Sequence, residues 1–374
     1  MGHPGWPPGA PDAWRGPLEE LERLEWRTGD DVDPAAALEV LIEAHGLAGP
    51  LARPAAPDRA VVLLAGAAAC ARLAGLVPGP PSPVPAVPDL VAVAVRTGGT
   101  TAPPAGAGGA GPWQTSWSDD QHAAAVEQVR AVIARGGVYQ ANVVGHRWAP
   151  HTADPAELAQ RVSGLAGASY GGVLTGQGWA VGSASPEQLV RVVGDRITTV
   201  PVKGTLPVSP GSDDVLRASA KDRAEHVMIV DLERNDLSRI AVTGSVEVEQ
   251  LYALSQWSGL WQAGSRVAAR VRDDAGVLDV LRALAPGGSV TGAPKQAAWE
   301  LLAGLEPVGR GPSMGAFGLL HGGGLDLGLT IRTVAADADR VHLWAGGGIT
   351  WGSDPQAEVA EAHAKAAPVV QALA

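Results

Sequence analysis

The chain has 374 residues, enough for two ordinary domains or one large one. With 46% hydrophobic and 18% charged residues its composition is that of a globular protein, and no apolar stretch reaches the ~18 residues of a membrane-spanning helix. The formal net charge of -11 argues against nucleic acid or an anionic membrane as a partner, because neutralising phosphates requires clustered Lys and Arg.

Cysteine usage and the first residues bear on the compartment. Cys70 is the only cysteine, which excludes an internal disulfide and a cysteine-based metal site. The opening MGHPGWPPGA lacks the charged-then-apolar pattern of a secretory signal. We therefore expect a cytoplasmic protein.

The first third of the chain predicts few regular elements. Residues 1–16 are rich in Pro, Gly and Trp and predict a poorly ordered tail. A helix is predicted over residues 34–45, with Asp33 as its N-cap and a proline in its first turn. Buried strands are predicted over residues 59–64 and 90–95. They are followed by PGPPSPVPAVP and TGGTTAPPAGAGGAGP, which predict exposed loops, and the second loop is the candidate boundary.

From Ser118 onward, helices and strands are mixed without a regular order. Ser118 is predicted to cap a helix that ends at the Gly136-Gly137 pair, and the segment VYQANVVGHRW predicts a strand after it. Further strands are expected at residues 172–174, 180–182, 187–193, 197–202, 245–248, 316–320, 328–333 and 340–344, and helices at about 213–238, 276–284, 294–304 and 354–373. This mixture, without a βαβ repeat or any internal repeat, predicts a large α+β fold.

Lysine and asparagine are unusually rare in this chain. Only four of the 28 basic residues are lysines, and none lies in the first third. Where drift in base composition replaces most residues that can be replaced, the survivors mark positions at which substitution is costly, since Arg cannot supply a compact ammonium or a neutral amine. Chance retention is the alternative. The residues concerned are Lys203, Lys221, Lys295, Lys365, Asn142 and Asn235.

Two predicted helices carry paired carboxylates. Asp222 and Glu225 lie three residues apart in KDRAEH, and Glu358 and Glu361 repeat that spacing in the last helix, so each pair shares a helix face. Two such pairs facing one another would form a hard oxygen site for Mg²⁺, which takes one or two carboxylates together with water and an anionic substrate. Taken singly, each pair is more typical of a solvated helix face.

Glycine-rich turns and two basic residues are consistent with an anion site. The turns in PGGSVTGAPK and AGGGI present backbone N–H groups, although neither has the frame of a phosphate-binding motif and both are also explained as tight turns. Arg332 in TIRT suits bidentate pairing with a carboxylate. Lys203 follows a strand rich in β-branched residues, where a lysine can have a lowered pKa and act as nucleophile or base. By itself such a lysine is also typical of an ordinary surface residue.

Eight segments, taken together, resemble one enzyme family. They are VYQAN, SASPEQLV, ITTVPVKGT, AKDRAEHVMIVDLERNDLSRI, APGGSVTGAPKQAAWELLAGLEP, GAFGLL, LGLTIRT and AGGGITWGSDPQAEVAEAHAKA. In this order and spacing they resemble the chorismate-utilising enzymes, most closely the component I branch of the aminodeoxychorismate synthases, from about residue 116 to residue 366.

The resemblance implies an architecture. It implies an α+β class with a single large chorismate-binding fold, like that of anthranilate synthase component I, with antiparallel sheets and flanking helices. Residues 1–110 would form a divergent N-terminal region that packs into the same unit. Residues 111–374 would form the chorismate-binding catalytic domain.

The resemblance also assigns roles to individual residues. Glu225 and Glu361 would bind Mg²⁺ with Asp222 and Glu358 in supporting places, and the ion would hold the ring carboxylate of chorismate. Glu187 matches the general acid that protonates the departing ring hydroxyl. Positions that anchor the substrate fall at Gly204, Thr205, Thr291, Gly292, Arg332, Gly346, Gly347, Gly348 and Lys365.

Two positions separate the branches of this family. Members that add water carry Lys at the position of Gln140, because water needs a general base, whereas members that add ammonia carry Gln. Anthranilate synthases resemble Pro-Ile-Ala-Gly-Thr at the next motif, whereas aminodeoxychorismate synthases have a proposed nucleophilic Lys at the position of Lys203. The resemblance therefore implies Mg²⁺-dependent amination of chorismate by ammonia to 4-amino-4-deoxychorismate, with anthranilate synthase component I as the alternative.

Two further positions depart from the family pattern. Gln262 stands where an active-site His is usual, and Ser313 stands where a Tyr usually contacts the substrate. Because Gln cannot take up and return a proton at neutral pH, a non-catalytic chorismate-binding homologue is a further alternative. Cys70 lies in an alanine-rich stretch without a nucleophile turn, so ammonia is expected from a separate glutamine amidotransferase subunit, component II.

Overall fold

The computed structural model describes residues 18–51, 58–98, 108–257, 260–322 and 324–374. The predicted N-terminal tail and most of TGGTTAPPAGAGGAGP fall outside these ranges. The strands are β1 (Leu18–Trp26), β2 (Arg59–Ala65), β3 (Leu90–Thr97), β4 (Gln114–Thr115), β5 (Gln140–Pro150), β6 (Tyr170–Gly176), β7 (Trp179–Ser185), β8 (Gln188–Val193), β9 (Arg196–Val200), β10 (Val202–Pro207), β11 (Glu247–Trp257), β12 (Leu260–Arg270), β13 (Gly292–Ala293), β14 (Ala316–His321), β15 (Gly324–Leu329), β16 (Thr333–Ala336) and β17 (Arg340–Ile349).

The helices flank these strands. They are α1 (Pro34–Ala44), α2 (Ala67–Leu73), α3 (Asp119–Ala134), α4 (Pro155–Ser163), α5 (Ser212–Ala218), α6 (Ala220–Ser238), α7 (Val277–Leu284), α8 (Gly288–Thr291), α9 (Lys295–Leu305) and α10 (Pro355–Ala372). No helix of the described ranges is long and apolar enough to cross a bilayer.

The strands form two sheets in which the pairings are antiparallel. The larger has the order β1-β3-β2-β14-β15-β8-β9-β12-β10, with β11 paired to β12. The smaller has the order β13-β5-β17-β16-β7-β6, with β4 paired to β5. Helix α6 packs on β10 and β12, while α10 packs on β17 and α3. Two antiparallel sheets with flanking helices confirm the predicted α+β class.

The N-terminal strands belong to the larger sheet. Strand β2 pairs with β3 on one side and with β14 on the other, so β1 to β3 continue the sheet that ends at β10. Leu63, Leu64 and Leu90 of these strands are fully buried in the main hydrophobic core. The predicted division at residue 110 stays a prediction.

The predicted helix caps form in the structure. Helix α1 begins after Asp33, whose carboxylate accepts the backbone N–H of Ala35 and Ala36. Helix α3 begins after Ser118, whose hydroxyl accepts the Gln121 N–H while the Gln121 side chain accepts the Ser118 N–H. These caps fix where each helix starts, as their sequences predict.

Three predicted elements are broken where the backbone changes direction. The helix predicted over residues 213–238 divides at Ser219, which has extended dihedral angles and caps α6. The strand predicted over 197–202 divides at Pro201, which has no N–H for a sheet ladder. The strand predicted over 328–333 is wrong as one element, because β15 and β16 belong to different sheets and Arg332 between them has φ 50°.

Several elements were not predicted from the sequence. Strands β1 and β12 and helices α2 and α4 were not expected, and β11 extends well beyond the predicted 245–248. The segment PGPPSPVPAVP is irregular, as predicted, but Val84 and Val87 within it are buried, so its prediction as an exposed loop is wrong. Apolar side chains spaced between prolines can reach the core without regular structure.

Candidate active site

A cavity of ≈ 320 Å³ is lined by strands of both sheets and by helices α6, α8 and α10. Strands β10 and β12 contribute from the larger sheet, and β5 and β17 from the smaller one. The fold thereby brings together segments that are distant in sequence. The predicted site residues on its lining are Glu187, Lys203, Gly204, Asp222, Glu225, Gln262, Arg332, Gly346, Gly348, Glu358, Glu361 and Lys365.

One wall of the cavity is built around Glu187, Lys203 and Ser289, which we call the buried wall. The Lys203 ammonium donates a hydrogen bond to the backbone carbonyl of Ser289, with an Nζ to O distance of 2.9 Å. The Ser289 hydroxyl donates to Oε1 of Glu187 at 2.7 Å, and the Val202 N–H points at the same oxygen from 3.4 Å. The predicted nucleophile and the predicted acid are thus joined through one serine.

The environment of the buried wall shifts the pKa values of both groups toward each other. Burial raises the pKa of Glu187, while the Ser289 hydroxyl and the Lys203 charge oppose that shift. Burial lowers the pKa of Lys203, against the attraction of Glu187. These pKa shifts increase the fraction of molecules in which Lys203 is a neutral amine and Glu187 is a protonated carboxyl. Nucleophilic attack assisted by a general acid requires this pair of protonation states.

Gln140 lies directly behind this wall. It is fully buried, and neither of its amide atoms has a hydrogen-bond partner among the described residues. A methyl group built on Gly348 would lie 1.9 Å from Nε2 of Gln140 and 3.4 Å from Nζ of Lys203. Only glycine therefore allows β17 to approach both side chains. A buried amide without a partner is costly, and such a group marks a place where a ligand or water can bind.

Gly204 turns the chain directly after Lys203. Its φ is 75°, a left-handed conformation that favours glycine, and the pairing of β10 with β12 is interrupted between Lys203 and Thr205. A Cβ at this position would also lie 2.9 Å from Leu216 of α5. This local distortion is consistent with a lysine side chain that leaves the strand to face the cavity.

The opposite wall carries Asp222, Glu225, Glu358 and Glu361, which we call the acidic wall. The α10 carboxylates approach β17 at Gly347, where an added Cβ would lie 3.0 Å from Oε2 of Glu358 and 3.5 Å from Oε1 of Glu361. Glu225 of α6 reaches the end of the same strand, where it accepts the Thr350 hydroxyl at 3.1 Å. Carboxylates of both predicted pairs therefore reach the last residues of β17, Glu225 from α6 and Glu358 and Glu361 from α10, whereas Asp222 lies beside Gly204.

The donor set of the acidic wall fits Mg²⁺. Carboxylate oxygens are the ligands that this ion prefers, and it commonly uses one or two of them, with water and substrate oxygens completing the shell. Within the described ranges no three His, Cys, Asp or Glu side chains converge into a preformed metal cage. Glu225 and Glu361 supply carboxylate oxygens of the preferred kind, and Mg²⁺ binding stays a prediction.

Two of the predicted substrate-anchoring residues on the cavity lining are cationic. Lys365 donates to the Gly346 carbonyl at 3.0 Å and pairs with Oε1 of Glu361 at 2.6 Å. Arg332 is 9% exposed and lines the cavity, and burial lowers its pKa. These cations lie on the same cavity as the four carboxylates, which suits a substrate that carries its own negative charges.

Five of the predicted site residues whose side chains the structure describes do not line the cavity. Gln140 lies behind Gly348, and Gly347 faces the acidic wall from β17. The Thr291 hydroxyl donates to the Gly287 carbonyl, which closes the short helix α8. Gly292 pairs with Ala141 of β5, and Ser313 is fully buried with its hydroxyl on the Thr330 carbonyl. Direct contact of these residues with substrate stays a prediction.

Gln262 and Thr205 are neighbours in the sheet. They are register partners in the pairing of β10 with β12, and Gln262 is 5% exposed on the cavity lining. The side chain of Thr205 lies outside the described part of the structure. Gln262 can donate or accept a hydrogen bond at the place where the resemblance expects a His.

Several residues of this cavity were not predicted from the sequence. Ser289 was treated only as part of a glycine-rich turn, although a hydroxyl residue within such a turn is a signal that could have been followed. Met314 and Trp344 also line the cavity, and Met314 has φ 58°. An unusual backbone conformation of this kind has no signature in composition or periodicity.

Fold and site together define the class of this protein. The sequence profile described as chorismate binding enzyme matches residues 86–371, so the chain belongs to that family. Its fold is similar to that of anthranilate synthase component I from Streptococcus pneumoniae TIGR4, with a TM-score of 0.79, 22% identity, and 94% of this chain and 91% of that chain covered.

Curated relatives fall into two groups by name. The chain is 36% identical over 268 residues to "Aminodeoxychorismate synthase component 1" of Salmonella typhimurium, covering 70% of this chain and 59% of that protein. It is 38% identical over 255 residues to "Anthranilate synthase component 1 1" of Haloarcula marismortui, covering 66% of this chain and 52% of that protein. The chain thus spans little more than half the length of these relatives, and overall similarity does not separate the two names.

Proposed function

We propose that this protein is the component I of an aminodeoxychorismate synthase, which converts chorismate and ammonia to 4-amino-4-deoxychorismate and water. The observation that carries the proposal is the half-buried Lys203, whose ammonium lies on the cavity beside the buried Glu187. A lysine with a lowered pKa in this place can act as a covalent nucleophile. An alanine at the same position, as the resemblance expects of anthranilate synthases, cannot.

The chemistry proceeds in two substitutions. Neutral Lys203 adds to the ring carbon adjacent to the one that bears the carboxylate, the two ring double bonds shift, and the C–O bond to the ring hydroxyl breaks as Glu187 gives it a proton, releasing water. Ammonia then adds to the carbon that lost the hydroxyl, the double bonds shift back, and the bond to Lys203 breaks. One water leaves and one ammonia enters, so the enzyme is regenerated once the spare proton from the ammonia has returned to Glu187.

The remaining residues bind and orient the substrate. Arg332 and Lys365 pair with the carboxylates of chorismate. Glu225 and Glu361 would hold Mg²⁺, which would supply positive charge to neutralise the ring carboxylate. Gln140 and Gln262 contribute hydrogen bonds without a proton-transfer role. Ammonia comes from a separate glutamine amidotransferase subunit.

Product analysis tests the proposal. The chain is incubated with chorismate, Mg²⁺ and ammonium, and the product is identified by mass and by its conversion with a lyase. We expect 4-amino-4-deoxychorismate without pyruvate, and no turnover with glutamine until an amidotransferase is added. Anthranilate with an equal amount of pyruvate would establish the rival activity, and chorismate binding without any product would establish a non-catalytic homologue.

A further inference from the structure

Ser289 touches both groups that make or break bonds in the proposed mechanism. Its hydroxyl donates to Glu187, and its backbone carbonyl accepts from Lys203. It is 5% exposed, lies on the cavity lining and is the second residue of the short helix α8. A single residue therefore sets the positions of the acid and the nucleophile relative to each other.

The contacts of Glu187 distinguish its two oxygens. The Ser289 hydroxyl and the Val202 N–H both point at Oε1. An oxygen that accepts donors in this way is the carbonyl-like oxygen of a protonated carboxyl, since the hydroxyl oxygen is the poorer acceptor. The proton of Glu187 is then carried by Oε2.

Helix α8 is held in place from three sides, so Ser289 has little freedom to move. The Thr291 hydroxyl closes the helix on the Gly287 carbonyl at 2.8 Å. The buried guanidinium of Arg310 donates to the Val290 carbonyl at 2.7 Å and to the Asn142 carbonyl of β5 at 2.7 Å. The neighbours of the serine thus fix it beside β5 of the smaller sheet.

We propose that Ser289 is a positioning residue that fixes the proton of Glu187 on Oε2, facing the cavity, and sets the spacing between Glu187 and Lys203. This inference rests on the proposed function. It predicts that the hydroxyl of residue 289 matters, and not only the volume of its side chain.

Four charged groups surround Glu187 besides the serine. Lys203 and Lys365 favour its ionised form, Arg332 interacts with it electrostatically, and Glu233 of α6 lies behind it. Burial raises the pKa of Glu187 and the Ser289 hydroxyl lowers it. Removing the hydroxyl therefore raises the pKa further, and the loss of rate caused by deprotonation of the acid moves to higher pH.

Three variants test the role of the hydroxyl. Ser289→Ala removes it and Ser289→Thr keeps it. Ser163→Ala removes another buried hydroxyl, at the end of α4, where it donates to the Gln160 carbonyl. We expect Ser289→Ala to lower kcat about tenfold, the size of one lost hydrogen bond, and to move the basic limb of its pH profile upward. Ser289→Thr and Ser163→Ala should keep the parental profile.

A measurement without substrate separates this inference from the proposed function. Infrared difference spectra against Glu187→Gln follow the protonated carboxyl band of Glu187 as the pH rises. We expect the band to persist to higher pH in Ser289→Ala than in the parent, whichever product the parent makes. An unchanged band and an unchanged basic limb in Ser289→Ala would overturn the proposal, as would an equal loss of rate in Ser289→Thr.

Discussion

The two walls of the cavity differ in their exposure to water. Glu187 and Ser289 of the buried wall are each 5% exposed, and their polar groups bind one another. On the acidic wall the Glu361 side chain is 50% exposed and Asp222 and Glu225 are half-buried, although Glu358 is as buried as Glu187 and Lys203 of the buried wall is itself half-buried. A dry wall can keep an amine neutral and a carboxyl protonated, whereas a wet wall can exchange water for a hydrated cation. In the proposed function, the buried wall makes and breaks bonds, and the acidic wall binds the substrate through a cation.

Two lysines show the same contrast at the level of one residue type. Lys203 donates to one carbonyl and faces the cavity, with a lowered pKa. Lys295 instead pairs with Asp236 at 2.7 Å and also points at the carbonyls of Ala283 and Leu284 at the end of α7. Three acceptors around one tetrahedral ammonium give Lys295 a structural role in which Arg is a poor substitute.

The largest effect is expected at Lys203. Arg stays protonated and cannot attack a ring carbon, so Lys203→Arg should keep chorismate binding but lose product by about three orders of magnitude or more. Lys295→Arg is the matched control, and we expect it to lower the unfolding temperature while the folded protein keeps its product. Steady-state assays with product identification, alongside thermal unfolding, measure both. Near-parental synthesis by Lys203→Arg would make this lysine only an electrostatic residue.

Lys203→Ala sharpens the same contrast through product identity. The change recreates the Pro-x-Ala-Gly-Thr pattern and removes the nucleophile. Ammonia can then attack directly the ring carbon to which Lys203 would have added. We expect a small amount of anthranilate with pyruvate in place of 4-amino-4-deoxychorismate. Chromatography of the product, with a coupled assay for pyruvate, detects the change. Continued release of the 4-amino product alone would contradict it.

Substitutions on the acidic wall should abolish Mg²⁺-dependent turnover. Glu225→Gln or Glu361→Gln removes one charge from a site with few ligands, so either should abolish the response to Mg²⁺ and leave the fold intact. Glu300→Gln, on the exposed face of α9, is the control and should respond like the parent. Titration of activity with Mg²⁺, together with circular dichroism, checks this. An unchanged Mg²⁺ response in both wall variants would refute the assignment.

Gly348 tests how closely β17 must approach the buried wall. In Gly348→Ala the added carbon would lie 1.9 Å from the amide of Gln140, so that side chain must shift, next to Lys203, whose Nζ would lie 3.4 Å from the same carbon. A displacement of about 1 Å near the reacting groups costs roughly a hundredfold in kcat. Gly352→Ala, which has open space around its Cβ, should be near parental. Equal kcat values for Gly348→Ala and Gly352→Ala would show that the close approach of β17 to Gln140 and Lys203 is not needed for activity.

The smallest effect we expect is a pH-dependent change in the free energy of unfolding caused by Glu187 of the buried wall. Because the folded pKa of Glu187 is raised above its ordinary value of 4.5, ionisation of this carboxyl destabilises the native state as pH rises through the folded pKa. Glu187→Gln keeps an oxygen that accepts the Ser289 hydroxyl and removes the negative charge. Its free energy of unfolding at alkaline pH should therefore be about 1 kcal/mol higher than that of the parent, while its activity is lost. Urea unfolding at acidic and alkaline pH measures this. A variant less stable than the parent at alkaline pH would contradict the account.

The sequence predicted the parts of this molecule that depend on local chemistry. Caps such as Asp33 and Ser118, and carboxylates spaced three apart on a helix, could be read because each depends on a few neighbouring residues. Lysine rarity by itself pointed equally to Lys203 and Lys295. The resemblance gave a role to Lys203, and the contacts in three dimensions show the ion pair of Lys295. The contact of Ser289 with Glu187, 102 residues away, is set by tertiary packing and has no local signal.

The most direct test of the central claim is whether chorismate forms a bond to Lys203. The protein is mixed with chorismate and Mg²⁺ without ammonium, quenched rapidly, digested and analysed by peptide mass spectrometry. We predict that the peptide containing Lys203 gains the mass of chorismate less one water, and that added ammonium discharges it to 4-amino-4-deoxychorismate. An unmodified Lys203 in a sample that still yields this product when ammonium is added would contradict the account.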